Sequence, residues 1–143
     1  MYNQRIHSSK YLEERVSYDG MLYCVRGKEI VPITDIDAIM DAVGKAWVIF
    51  ECKHGDSMPP TGQKITLERL ANDISSKDKP AVVFVCSHNV PEGEKVYLKD
   101  CIVTSIYTNG KWIDPIKEYG KGFTVKALTD SFIHKNAPEM IIW

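Results

Sequence analysis

This chain of 143 residues has no Cys-x-x-Cys pair, no internal repeat, no low-complexity tract and no long apolar run. Each absence excludes something. The longest uninterrupted apolar stretch falls far short of the roughly 20 residues that a membrane span requires. The opening "MYNQRIHSSKYLEERV" lacks the apolar segment of a secretory signal, so a cytoplasmic location is expected. Cys24, Cys52, Cys86 and Cys101 lie in or beside strand-like runs without zinc-ligand spacing, and they read as reduced, buried thiols. There is no charge excess either: 18 Lys and Arg face 19 Asp and Glu, a net charge of −1. A strongly basic balance would have advertised nucleic acid, and this chain does not have one.

What is present is enough apolar sequence, 44% of residues, for one domain with one core. Ser8 and Ser9 can cap a short helix running to Val16. "MLYCV", Met21 to Val25, reads as a strand and "RGKE" as a turn. The segment "ITDIDAIMDAVGKAWVIFECK", Ile33 to Lys53, reads as two strands joined by a short turn. A Gly- and Pro-rich loop follows. From Gly62 to Ile74 the apolar residues Leu67, Leu70, Ala71 and Ile74 recur at helical spacing. "AVVFVC", Ala81 to Cys86, is a continuous apolar run of the kind found in a central strand covered on both faces. Asn109-Gly110 predicts a hairpin, because both turn positions need positive φ. Thr124 caps a last helix to about His134, and the tail "NAPEMIIW" is expected to pack back on the domain. The order is α-β-β-β-α-β, then a hairpin and a helix. It predicts an α/β (α+β) domain with a mixed sheet.

The segment from Ile33 to Lys53 carries four charges where a half-buried hairpin is expected: Asp35, Asp37, Glu51 and Lys53. Strand side chains alternate faces, so Glu51 and Lys53 share one face, opposite to that of Val48, Phe50 and Cys52. A turn centred on Gly44 sets Asp37 across from Glu51, and a two-residue slip sets Asp35 there instead. Either register gathers two carboxylates and one ammonium at the open end of the hairpin. Close carboxylates repel, and a hard divalent cation removes that cost. Such a set suits metal-assisted hydrolysis of a phosphodiester. The same charges also suit a solvated strand face, with Lys53 pairing Glu51 at the surface.

An Asp, about a dozen residues of hairpin, then an apolar strand ending Glu-x-Lys: this pattern resembles the PD-(D/E)XK nuclease superfamily. The resemblance covers roughly Ser8 to Ser87 and implies a restriction-endonuclease-like αβββαβ core, here followed by the hairpin and helix. It implies a metal-dependent DNA endonuclease using Mg²⁺, with Mn²⁺ able to substitute, on duplex, branched or single-stranded DNA. Asp37 matches the metal-binding Asp, with Asp35 as the alternative. Glu51 matches the second metal-binding acid, Lys53 the catalytic lysine, and Cys52 would offer its backbone carbonyl to the metal. "DIDAI" has the shape of the family's "EIDLI"-type segments. "LEERV" resembles the "ERE"-type helix of archaeal Holliday-junction resolvases, which points to Glu14, with Glu13 next. Gln63 stands where some members place a Gln near the metal, and "GQKITLERL" resembles small phage-type proteins of the superfamily. The family's Pro-Asp is altered to "PITD", with Pro32 three positions before Asp35, which leaves the choice between Asp35 and Asp37 open. A homodimer would supply one site per DNA strand. The alternative is a nuclease-fold protein without catalysis that binds nucleic acid or a protein partner.

Other residues read more simply. His54 and His88 end strand-like runs and are expected in loops near the site. Lys64 and Arg69 share their helix with Glu68 and Asp73, a mixed solvated face. Trp47, Trp112 and Trp143 read as packing residues.

Overall fold

The computed structural model describes residue 17 and residues 19–26, 29–31 and 33–142. The helix expected from Ser8 to Val16, and with it Glu13 and Glu14, lies outside the described residues, as do Pro32 and Trp143. The protein is a mixed α+β fold built on a five-stranded sheet. A two-stranded ribbon, β1 (Tyr23–Val25) and β2 (Glu29–Val31), stands apart from it. The main sheet contains β3 (Ala38–Asp41), β4 (Trp47–His54), β5 (Ala81–His88), β6 (Ile102–Thr108) and β7 (Lys111–Ile113), in that spatial order. Only β4 and β5 run parallel, and helix α1 (Thr61–Ile74) makes the crossover between them. Among the described residues two further α-helices, α2 (Pro115–Tyr119) and α3 (Val125–Asn136), follow β7. Among the described residues no helix is long and apolar enough to cross a membrane.

The sheet has one core on each face. Val48, Phe50, Val82, Phe84 and Cys86 pack with Val125, Leu128 and Phe132 of α3. Ile49, Val83, Val85 and Tyr107 pack with Leu67 and Ala71 of α1. The central strand β5 contributes to both, and its first six residues are buried. That double burial accounts for its unbroken apolar sequence. Turn chemistry follows the local sequence. Asn109 and Gly110 adopt φ of 51° and 78° between β6 and β7. Thr124 accepts the Ala127 N–H and caps α3. Asp114 caps α2 ahead of Pro115, and Gly120 ends it in the left-handed conformation; "DPIKEYG" carried those signals, but no helix was expected there.

Several expectations are corrected. The strand expected from Met21 does not join the main sheet; it pairs with Glu29–Val31, so Glu29, expected in a turn, lies in a second strand. Residues 33–37 are not a strand, and β3 begins at Ala38. Its ladder stops there because the Asp37 carboxylate accepts the Cys52 N–H at 2.7 Å, a donor that a continued ladder would spend on backbone. Cys24 is exposed, not buried. Among the described residues the tail packs back through Ala137 and Met140, while Ile141 is 74% exposed.

Candidate functional site

The turn between β3 and β4 sets the register of the site. Val43 and Gly44 occupy its centre with φ of 45° and 75°, and Asp41 Oδ1 accepts the Gly44 N–H at 3.0 Å. The ladder that follows pairs Ala38 with Phe50, so Asp37 stands one step beyond, across from Glu51. The slipped register that would set Asp35 opposite Glu51 is not adopted. Asp35 is half-buried in the lead-in to β3.

Glu51 points to the α1 face and is 2% exposed, the one buried charged residue among those described. A solvated hairpin face therefore does not describe it. The first turn of α1 brings Gln63 over this carboxylate. Gln63 Nε2 donates to Glu51 Oε1 at 2.9 Å, and Gln63 Oε1 accepts from Lys53 Nζ at 2.9 Å. Lys53 Nζ is also 3.1 Å from Glu51 Oε1. Three side chains thus close a ring, one from α1 and two from β4. Glu51 Oε2 remains buried without a partner. Burial raises the Glu51 pKa above its usual range, and the Asp37 charge adds to the rise, while Lys53 and Gln63 oppose it.

The structure therefore brings Asp37, Glu51, Lys53 and Gln63 together at the open end of β4, with Asp37 bound to the Cys52 backbone. His54 and His88 end the paired strands β4 and β5 beside them, ring centroids 5.2 Å apart and edge to face. His88 Nδ1 accepts the Val90 N–H at 3.1 Å, which holds the first turn of the next loop. Lys64 lies over the Trp112 ring at 5.0 Å, Trp112 donates to Glu68, and Arg69 is exposed. Trp47 stacks under Lys79, 3.8 Å from its ring centroid.

One grouping was missed from the sequence. Cys52, Cys86 and Cys101 converge on the α3 face, their sulfurs all within 4.8 Å of one another. The neighbouring Cys86 and Cys101 side chains draw the Cys52 thiol down to about 7, against the effect of burial, and burial pushes Cys101 up to about 12. Residues separated by 34 and 15 positions leave no spacing motif; the pairing of Cys52 with Cys86 across β4 and β5 and the register shift between β5 and β6 bring them together. Comparison with known proteins finds no family model, no curated protein and no solved structure that matches this chain.

Proposed function

We propose that this protein is a metal-dependent endonuclease that hydrolyses phosphodiester bonds in DNA, acting through Asp37, Glu51 and Lys53. The observation that carries this reading is Glu51 Oε2, a buried carboxylate oxygen with no partner, in a side chain whose charge is opposed by that of Asp37. An unpaired buried carboxylate beside a second one is costly unless a cation or a proton satisfies it. Mg²⁺, or Mn²⁺ in its place, suits oxygens from Asp37, Glu51 and the Cys52 carbonyl, with Asp35 nearby in sequence. Bound there, it would polarise a phosphoryl oxygen and supply a water of lowered pKa.

The chain's own groups have distinct tasks in this reading. Lys53 carries a fixed positive charge beside the carboxylates, suited to an attacking water or to the charge that develops on the phosphate. Gln63 holds Lys53 and Glu51 in register through one amide, leaving Oε2 for the cation. Asp37, anchored by the Cys52 N–H through Oδ2, keeps its other oxygen for the cation. Glu14 is proposed as a further acid at the site. One site cuts one strand, so cleavage of a duplex calls for two chains.

The balanced charge of −1 favours a second reading, a nuclease-fold protein that binds nucleic acid or a protein without cleaving. One assay separates the two. Supercoiled plasmid, branched DNA and single-stranded DNA are incubated with the protein in Mg²⁺, Mn²⁺ or EDTA, beside Glu51→Gln. Nicking that needs metal and is lost in the variant supports the nuclease. Binding without cleavage supports the second reading in its nucleic-acid form. Absence of both binding and cleavage sinks the nuclease and leaves of the second reading only a protein partner.

A further inference from the structure

We propose that Cys52, Cys86 and Cys101 form a three-sulfur site for a single thiophilic cation, Cu(I). The sulfurs lie on the face of the sheet opposite to the Glu51 and Lys53 side chains, so the proposal does not rest on the function of the carboxylates, although the Cys52 backbone borders both places.

Geometry is the first argument. Cys52 and Cys86 are direct neighbours on parallel strands and share a face. Cys101 reaches them because β6 carries a bulge. The register shifts by one residue opposite Val85 and Cys86, and Thr104 is the extra residue. Strict alternation from Ile106 would turn Val103 and Cys101 toward α1. The bulge restores both to the α3 face, in one cluster with Ile106 and Cys86. The Sγ atoms of Cys52 and Cys101 are 3.7 Å apart, and all three sulfurs lie within 4.8 Å. A metal–sulfur bond of about 2.3 Å sets sulfurs about 4.0 Å apart around a trigonal ion. The cluster needs only small rotamer changes to reach that spacing.

Donor set is the second argument. Thiolate sulfur selects Cu(I), Zn(II) and iron–sulfur clusters. Structural zinc takes four ligands. Among the described residues no His, Asp or Glu joins the three cysteines within ligating distance of them all, which leaves a three-coordinate ion. The remaining contacts of the sulfurs are to backbone: Cys86 Sγ donates to the Glu51 carbonyl at 3.6 Å and Cys101 Sγ to the Tyr97 carbonyl at 3.5 Å. A cleft of about 560 Å³ beyond the end of β5 reaches the edge of the cluster at Cys101, which lines it together with His88, Val90 and Tyr97. Each thiol that ligates gives its proton to solvent, so affinity rises with pH. No electron is transferred, since copper enters and stays as Cu(I).

The test is a competition titration on the reduced, full-length chain without oxygen, with Cu(I) supplied as its bicinchoninate complex. The expected result is one Cu(I) per chain withheld from the competitor, and X-ray absorption at the copper edge showing three sulfur neighbours. Cys86→Ser and Cys101→Ser should each weaken binding beyond the roughly 100-fold that losing an outer-shell partner costs. Cys24→Ser should leave it unchanged. Should either Ser variant melt early, Cys86→Ala or Cys101→Ala carries the same test. Two sulfur neighbours, more than one ion per chain, or full affinity in the Cys86 variants would overturn the site. Retention of Zn(II) against a chelator, in preference to Cu(I), would overturn the choice of ion.

Discussion

Gln63 donates its amide N–H to Glu51 Oε1 at 2.9 Å, and this bond ties the first turn of α1 to the end of β4. The same amide accepts from Lys53, so one side chain sets the separation of an acid and a base. Gln63→Ala removes the tie without adding charge. If the carboxylates hold a cation, metal affinity or the cleavage rate should fall by about 10–100-fold, as for other outer-shell partners. Single-turnover rates across a Mg²⁺ titration measure both. An unchanged metal dependence would make the amide a packing group.

Asp37 faces Glu51, and Lys53 shares their side of the hairpin. Asp37→Asn, Glu51→Gln and Lys53→Ala are each expected to abolish cleavage while circular dichroism stays that of the wild type. Asp35→Asn is expected to retain activity, because the register keeps it off the Glu51 position. Full activity in Glu51→Gln at normal expression would end the nuclease reading.

The raised pKa of Glu51 has a defined sign for stability. Its folded value lies above its unfolded one, so the native state keeps the proton to higher pH. Stability is therefore lost as pH rises from the ordinary carboxylate range through the raised value, and is level above it. The Glu51→Gln variant, with a neutral amide in place of the carboxyl, has no such dependence. In EDTA, Glu51→Gln should melt no lower than wild type at neutral pH, and by a few degrees higher if about 1 kcal/mol is recovered. The gap should close near pH 4, the usual range of a free carboxyl. A melting temperature several degrees below wild type at neutral pH would make Glu51 a structural partner of Lys53 and Gln63.

A chain of net charge −1 with Asp37 and Glu51 gathered at the end of β4 should bind DNA poorly when those two acids are bare. Fluorescence anisotropy should give weak binding in EDTA and clearly tighter binding in Ca²⁺, with a shallow salt dependence. Glu51→Gln should lose the Ca²⁺ effect. Equal affinity in all four combinations would remove the carboxylates from DNA binding.

Val43 holds φ of 45° in the β3–β4 turn while 58% exposed. A β-branched residue is disfavoured there, and Asn tolerates it. Val43→Asn should stabilise the protein by about 1 kcal/mol in urea unfolding, with little packing to lose. A lower midpoint would mean that the Val43 side chain contributes more contact than its exposure indicates.

Much of this fold is local and was legible in the chain. The helix from Thr61 to Ile74, the capped α3, the Asn109-Gly110 hairpin and the buried β5 each follow from periodicity or turn chemistry that acts within a few residues. So does the shared face of Glu51 and Lys53, since alternation along one strand needs no partner. Local sequence left two registers open for Asp37 and Asp35. The turn through Val43 and Gly44 chose between them, and the Asp37 carboxylate then ended the strand by taking the Cys52 N–H. Whether Glu51 would be solvated or buried also depended on α1 folding back over β4 with Gln63 in its first turn. The cysteine cluster lay furthest from sequence reading. It combines a parallel pairing across a helical crossover with a bulge that reverses the alternation of β6, and neither is encoded at any fixed spacing. Residue type and period determined which side chains share a face of one element; only the packing of distant elements decided which faces meet.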